Sequence, residues 1–327
     1  MRLDVLATFT LVGALAAACA APAPLAPTPL PTSASTAAES ATGTPAGATP
    51  EAAGQTSGHT SVPAAPTPVA PSGPLNEAAF GNLSKTLHPY PDGASYTQPW
   101  LDAAALIWGG ADGGGALLAF DWDKLDYRPA MATALPTVSA DNKTFTFRLR
   151  SDLKWSDGTV ITADDFQFAF DQASREDSRY VQLDLLQEIT AFGTPDPRTI
   201  VITLRDARPR EVALSIVNVV SPVPKHVWNG RSWTDPAANP EIMHPTVVLG
   251  PYAVQEFATD SRAIFTAVDT YYQGKPRIPR VEIVANQQPA VAFDALKSGR
   301  ANWIHALPPS LYQQARADPT LDLKEWT

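Results

Sequence analysis

The chain has 327 residues, of which 44% are hydrophobic, and it carries a formal net charge of -9 with a pI near 5.0. This length is sufficient for one large domain or two ordinary ones, each with a hydrophobic core. The acidic balance and the lack of clustered Lys and Arg argue against a nucleic-acid-binding surface, because binding to phosphates depends on such clusters.

The first 19 residues are typical of an export signal that ends at a lipidated cysteine. Arg2 precedes the apolar run Val5 to Ala18, which is too short to cross a bilayer as a stable helix. Small residues come directly before Cys19, the only cysteine of the chain, so an internal disulfide is excluded. The pattern resembles a bacterial lipobox, in which the thiol is acylated. An ordinary cleavable signal with an incidental cysteine is the alternative.

Residues 20–74 consist mainly of Ala, Pro, Thr, Ser and Gly, with almost no aromatic or large aliphatic side chain. Such a segment buries too little apolar surface to offset the entropy of ordering, so we expect a disordered tether. Its many prolines favour extended conformations. A tether after a lipidated residue suits a protein held at a membrane, and a leader of no specific use is the alternative.

The folded region is predicted to begin at residue 75. A strand and a turn are expected over Leu83 to Pro89, and a short helix over Leu101 to Trp108. The glycine run at 109–115 lacks the spacing of the phosphate-binding motifs. We therefore interpret this run as a flexible loop.

A strand and a tight turn are predicted next. The side chains of residues 145–150 alternate between apolar and polar, which indicates a half-buried strand. Asp157 and Gly158 supply the turn, because glycine readily adopts the positive φ that a tight reversal requires. Thr159 to Ile161 is then expected to run back along the first strand.

A helix is predicted to follow directly. Thr162 is the expected N-cap, and Asp164 and Asp165 in the first turn favour the positive end of the helix dipole. This helix-capping role explains the two carboxylates better than acid-base chemistry does. Spacing at i, i+3, i+4 and i+7 places four apolar residues on one face: Phe166, Ala169, Phe170 and Ala173.

The rest of the chain mixes strands with helices. Val212 to Val220 forms an apolar segment, and Pro289 is expected to begin a helix that ends near Gly299. Because the two kinds of element do not alternate strictly, the predicted class is α/β or α+β with a mixed sheet. Further strands are predicted in three places: Thr199 to Leu204, Ala263 to Val268 and Arg280 to Ala285.

No catalytic or metal-binding motif stands out. The sequence has no nucleophile elbow, no zinc-peptidase helix motif and no Walker motif. Its five histidines are scattered, so no metal and no cofactor are predicted. With the single cysteine predicted to be acylated, a thiol nucleophile is excluded as well. The chain is therefore predicted not to be an enzyme.

A series of short strings, all in the same order, resembles one known family. The central string runs from Lys143 to Arg150 and continues as Trp-Ser-Asp-Gly from Trp155 to Gly158. The whole series resembles extracellular solute-binding protein family 5, the oligopeptide- and dipeptide-binding components of ABC importers. The flanking strings are Leu87-His88-Pro89, Arg198 to Leu204, Pro224 to Trp228, Gly250-Pro251-Tyr252, Gly274-Lys275-Pro276 and Ala295 to Gly299.

The resemblance covers essentially residues 75–327 and implies a fold like that of the type II periplasmic binding proteins. Relatives continue well beyond this length into a second lobe. The chain is therefore expected to hold the first lobe, with a mixed sheet, while the second lobe is largely missing. Within the first lobe the resemblance implies a discontinuous core, residues 75–106 and 206–327, with an inserted subdomain at 107–205.

The resemblance also implies a non-catalytic function, the capture of peptides or a similar small solute for an ABC importer. The expected partners are the solute, the permease subunits and, through the lipid anchor, the membrane; no nucleic acid is expected, and the chain is expected to be a monomer. The expected location is the periplasm or the outer face of the cytoplasmic membrane. A truncated or split gene product without independent binding and a secreted hydrolase are the alternatives.

Ligand contacts are predicted at His88, Trp108, Tyr180 and Tyr252, and core packing is the favoured alternative for Trp108 and Tyr252. One lobe offers only half of a cleft. The chain is therefore predicted to bind peptides weakly or not at all, and a calorimetric titration with mixed peptides that shows tight uptake would contradict this. The ligand class stays open between peptides, nickel chelates, sugars and opines.

Overall fold

The structure is a computed structural model. The predicted signal with Cys19, the tether up to residue 72 and residues 110–114 of the glycine run lie outside the described residues. No helix within the described residues is long and apolar enough to cross a membrane. The described residues are 73–80, 83, 86–92, 98–109, 115–259, 261–286, 288–305 and 307–323.

Strands and helices are mixed along the described residues. The strands are β1 (Leu75–Phe80), β2 (Leu118–Asp121), β3 (Asp126–Pro129), β4 (Thr137–Val138), β5 (Thr144–Arg148), β6 (Ile189–Asp196), β7 (Thr199–Leu204), β8 (Tyr252–Ala258), β9 (Arg262–Ala267) and β10 (Arg280–Asn286). The α-helices are α1 (Gln98–Trp108), α2 (Ala163–Ala173), α3 (Leu183–Gln187), α4 (Arg210–Val217), α5 (Lys225–Trp228), α6 (Pro289–Lys297) and α7 (Pro309–Ala317). Two short 3-10 helices lie at Glu176–Ser178 and Pro240–Ile242.

One sheet has the strand order β1-β10-β9-β8 and is mixed, as predicted. β1 pairs with β10 in parallel, with Leu75 opposite Val281, and the other neighbours are antiparallel. Helices α1 and α6 pack against this sheet. The strands predicted after residue 262 are confirmed, and so are the helices predicted to end at Trp108 and to begin at Pro289.

The strand predicted over Leu83 to Pro89 is wrong. The described part of this segment, residue 83 and residues 86–89, contains no strand, and the strand of this region is β1 instead. Among its described residues, the Leu87 amide donates a backbone hydrogen bond to the Ile242 carbonyl (2.8 Å), and Ile242 lies in a 3-10 helix rather than in a strand. Pro89 and Pro91 carry no amide hydrogen, so they cannot extend a ladder.

A second sheet, with the order β4-β5-β7-β6, is antiparallel throughout. Phe145 faces Ile202 and Phe147 faces Ile200 across β5 and β7, and all four side chains are buried. Their alternation with exposed or half-buried residues is the pattern from which both strands were predicted. Both predictions are confirmed.

The turn at Gly158 is confirmed, but the path after it differs from the prediction. Gly158 has a φ of +89°, and its amide donates to the Trp155 carbonyl (2.9 Å). Residues 159–161 pair with residues 153–155 rather than with β5, as the bond from the Ile161 amide to the Leu153 carbonyl shows (3.2 Å). The reason is that β4 and β7 already occupy both edges of β5.

Helix α2 begins after Thr162, as predicted. The Thr162 amide donates to the Asp165 carboxylate (2.9 Å), which also accepts the Lys225 amide (3.1 Å). Burial raises the pKa of Asp165, although these two amides favour its charged form. The predicted apolar face is confirmed, since three of its four residues are fully buried: Phe166, Ala169 and Ala173.

The strands of the first sheet come from residues 75–80 and 252–286, and those of the second from residues between 137 and 204. Buried residues of both sheets belong to one hydrophobic cluster, which includes Phe147 and Phe265. The division into a core at 75–106 and 206–327 with an insertion at 107–205 stays a prediction.

Candidate functional site

An open cavity of about 200 Å³ lies at the predicted site residue His88, and we call it the His88 pocket. Three parts of the chain line it: residues 86–92 after β1, residues 178–179 after α2, and residues 233–242 between α5 and β8. The pocket is therefore built from segments that lie far apart in the sequence.

The first wall is held by a small hydrogen-bond network. The Thr86 hydroxyl donates to the Ile242 carbonyl (3.2 Å) and accepts from the His88 amide (3.0 Å). The Trp108 indole nitrogen donates to the Leu87 carbonyl from beneath (2.8 Å). These bonds pair the Thr86 hydroxyl, the His88 amide and the Leu87 carbonyl of a segment that has no strand partner, and they tie it to Ile242 and Trp108.

His88 is 5% exposed, and its Nδ1 accepts the Tyr90 amide (2.9 Å). The neutral ring therefore carries its proton on Nε2. Two indole rings pack edge-on against the imidazole, Trp233 at 4.7 Å and Trp228 at 5.0 Å between ring centroids. Burial lowers the pKa of His88 to about 4, so the side chain is neutral at pH 7.

Tyr90 and Tyr180 connect residues 86–92 of the pocket to the loop after α2. The Tyr90 hydroxyl donates to the Ser221 carbonyl (2.5 Å) and accepts the Ser221 amide (2.8 Å). Burial raises the pKa of Tyr90, so this hydroxyl stays protonated. Tyr180 packs edge-on against Tyr90 at 4.9 Å, and the Val181 amide donates to the Pro91 carbonyl (3.1 Å). The loop after α2 is thereby fixed beside residues 86–92.

The four predicted contact residues separate into two groups. His88 lines the pocket, and Tyr180 lies behind it through its contact with Tyr90. Trp108 and Tyr252 are buried in the core and do not line the pocket. The Tyr252 hydroxyl donates to the Ile278 carbonyl (3.1 Å), so the core interpretation matches the contacts of both residues.

Sequence reasoning predicted His88 but missed the other residues that line the pocket, among them Tyr90, Arg179 and Trp233. Trp233 lies in a stretch without helical or strand periodicity, so no local pattern marks it. Tyr90 stands between two prolines, where an extended path is expected, but its partner Ser221 lies 131 residues away.

The pocket offers groups for binding. The aromatic residues Trp233 and Tyr90 belong to its lining. The lining also includes two hydroxyl groups, of Thr86 and Thr234, and two charged residues, Asp92 and Arg179. Within the described residues, no group of three or more His, Cys, Asp or Glu could hold a metal ion. The exposed lining of the pocket is more polar than apolar, so hydrogen bonds and charge are the main interactions that it offers to a ligand.

A second, larger cavity of about 430 Å³ lies beside the edge strand β4 and contains none of the predicted contact residues. Its two cations are already paired, Arg208 with Glu188 (2.5 Å) and Arg210 with Asp126 (2.8 Å). The His88 pocket is therefore the stronger candidate for a ligand site.

Comparison with protein families matches residues 126–326 to the model described as bacterial extracellular solute-binding proteins, family 5 Middle. A putative ABC transporter peptide-binding protein of Brucella ovis is 29% identical over 168 residues, covering 51% of this chain and 31% of the relative. The periplasmic oligopeptide-binding protein OppA of Escherichia coli is 26% identical over 215 residues, covering 59% of this chain and 38% of the relative. The chain thus spans about a third of the length of these relatives.

Solved structures show the same fold. NikZ from Campylobacter jejuni, in complex with Ni(L-His), matches with a TM-score of 0.63 and 21% identity over 76% of this chain and 46% of that one. The oligopeptide-binding protein AppA from Bacillus subtilis, in complex with a nonapeptide, matches with a TM-score of 0.65 and 16% identity over 75% and 46%. The predicted likeness to type II periplasmic binding proteins is confirmed at the level of the fold.

Proposed function

The chain belongs to the bacterial extracellular solute-binding proteins of family 5, and from this premise we propose that it serves as a substrate-binding component of an ABC importer. It captures peptides or a similar small solute outside the cytoplasmic membrane and presents them to permease subunits. It does so without catalysis. Relatives named as a putative ABC transporter peptide-binding protein and as a periplasmic oligopeptide-binding protein support this role.

The His88 pocket is the observation that carries the proposal. Its volume of about 200 Å³ is below the usual 300–1,000 Å³ of a complete ligand site. It is therefore suited to one residue or one end group of a larger solute, and a second surface has to enclose the rest. Closure of two lobes around a ligand supplies such a surface.

Within the pocket, His88 keeps the ligand role predicted for it and is joined by Tyr90 and Trp233, while Tyr180 supports Tyr90 from behind. Hydrogen bonds of His88 and Tyr90 and the edge-on contact between His88 and Trp233 hold these rings in place before the ligand arrives. Preorganisation of this kind lowers the entropy that binding has to offset. His88 acts as a neutral wall group, because burial keeps its pKa at about 4.

Attachment and location are proposed from the N-terminal sequence. Acylation of Cys19 anchors the protein to the outer face of the cytoplasmic membrane, and residues 20–74 provide reach. The core at 75–106 and 206–327 with the insertion at 107–205 is proposed as the organisation of this lobe. The sheets support this division, because the strands of the first sheet lie within the two core ranges and those of the second sheet lie within the insertion.

The nature of the solute is guided by the solved neighbours. One was solved with Ni(L-His), a second with a nonapeptide and a third, MoaA, with mannopinic acid. Peptides are the solute class proposed for this chain, since the curated relatives are named for peptide binding.

Titration of the isotopically labelled chain with trialanine, followed by NMR, tests the proposal. The Trp233 indole resonance should shift with a Kd on the order of 1 mM or weaker, because only part of the ligand is enclosed. Thr234→Trp, at the exposed rim of the pocket, should abolish the shift, whereas the matched control Thr190→Trp on β6 should not.

Two outcomes contradict the proposal. Shifts that survive Thr234→Trp would place binding elsewhere, and cleavage of the peptide, detected by mass spectrometry, would indicate a hydrolase. Micromolar uptake would contradict only the expectation that a second surface is needed.

A further inference from the structure

Arg179 lines the His88 pocket with an exposed side chain. Within the described part of the chain, its guanidinium forms no ion pair and no hydrogen bond. The neighbouring arginines are engaged: Arg175 binds Asp177 at 2.6 Å, and Arg231 lies 3.8 Å from the buried Glu241. Arg179 is therefore the cation of this region that is available to a ligand.

The backbone of Arg179 is in the left-handed region, with φ 57° and ψ 18°. A residue with a Cβ is disfavoured there, and glycine or asparagine usually occupies such a position. Neighbouring hydrogen bonds hold this conformation, from the Ser178 hydroxyl to the Ala173 carbonyl (2.7 Å) and from the Val181 amide to the Pro91 carbonyl (3.1 Å). A strained residue at a pocket points to use of its side chain.

The surroundings favour an anion at this guanidinium. Asp92, the acidic residue of the lining, is engaged in an interaction of its own and does not pair with Arg179. The buried rings of Trp233 and Tyr90 lie behind the pocket surface, whose exposed lining is more polar than apolar. The Thr234 hydroxyl at the rim offers a further donor.

We infer that Arg179 binds a carboxylate of the captured solute and selects for solutes that carry one. The inference rests on the proposed function and adds the charge of the solute to it. A guanidinium matches a carboxylate with two parallel N–H donors, which a lysine does not. The terminal carboxylate or an acidic side chain of a peptide supplies this group.

Four forms of trialanine test the inference: the free peptide, its C-terminal amide, its N-acetyl form and the N-acetyl amide. The two forms with a free carboxylate should bind about tenfold more tightly than the two amides, whatever the N-terminus carries. Affinities are measured from the NMR shift of the Trp233 indole.

Three variants assign the preference to one side chain. Arg179→Gln should bind all four peptides alike, and Arg179→Lys should keep part of the preference because it keeps the charge. Arg277→Gln is the matched control, since Arg277 is exposed, forms no ion pair with another described residue and does not line the pocket. It should behave like the parent.

Equal affinities of the parent for the four peptides, or a preference that persists in Arg179→Gln, would overturn the inference and leave the proposed function intact. No shift at Trp233 with any of the peptides at 20 mM, about 20 times the expected Kd, would overturn both.

Discussion

Removal of one buried hydroxyl should loosen the wall of the His88 pocket. Tyr90 is 3% exposed, and its hydroxyl bonds to both the amide and the carbonyl of Ser221. In Tyr90→Phe these two backbone groups lose that partner inside the protein. With about 1 kcal/mol for each hydrogen bond and a further penalty for the unpaired groups, the free energy of unfolding should fall by about 2–3 kcal/mol.

Urea denaturation followed by tryptophan fluorescence measures this loss. Tyr127→Phe is the matched control, because Tyr127 is half-buried and its hydroxyl makes no hydrogen bond within the described residues. It should change the free energy of unfolding by less than about 0.5 kcal/mol. If the two variants lose the same stability, the Tyr90 hydroxyl does not fix the wall, and the account of a preorganised pocket is refuted.

Gly250→Ala should lower the free energy of unfolding by about 3 kcal/mol, because its Cβ would lie 2.3 Å from the Leu106 carbonyl oxygen; in the same urea assay, a loss below about 1 kcal/mol contradicts that close approach. Gly158→Val should cost about 1–3 kcal/mol through strain at φ +89°. It should leave ligand choice unchanged in the peptide titration, and the reverse pattern would place this turn at the ligand. When the pH is lowered from 6.5 to 4, the free energy of unfolding of the parent should fall by about 3 kcal/mol more than that of His88→Asn. The reason is that burial lowers the pKa of His88 to about 4, so protonation favours the unfolded chain. The control His244→Asn, at an exposed position, should follow the parent.

Features that depend on neighbouring residues were predictable from the sequence. The apolar alternation of β5 and β7, the N-cap at Thr162 and the positive φ of Gly158 each follow from a few consecutive side chains. The apolar stripe of α2 follows from spacing alone, because one face of a helix repeats every 3.6 residues.

Features that depend on distant partners were not predictable. Residues 159–161 have the composition of a returning strand, but the edges of β5 are taken by β4 and β7. β1 finds its partner β10 about 200 residues further along the chain, and Leu75 to Phe80 shows no alternation that would mark it. The segment Leu83 to Pro89 was predicted as the strand instead, although Pro89 cannot donate to a strand ladder.

The candidate site shows the same limit. His88 and Tyr180 were predicted through a family resemblance, whereas Trp233 reaches the pocket through ring contacts with His88 and Tyr90, and Arg179 through the bond that joins Val181 of its loop to Pro91. The apolar periodicity of a sequence does not predict contacts between residues that lie 90 or more positions apart. Only the structure brings these side chains together.

Photo-crosslinking tests the central claim most directly, because it reports contact even when binding is weak. p-Benzoylphenylalanine would replace Pro236, another exposed residue of the pocket rim, or, as a matched control, Thr190 on the second sheet. We expect isotopically labelled trialanine to be captured at position 236, with excess unlabelled peptide as a competitor, and not at position 190. Equal capture at both positions, or none at position 236, would contradict the assignment of the His88 pocket as the surface that receives the solute.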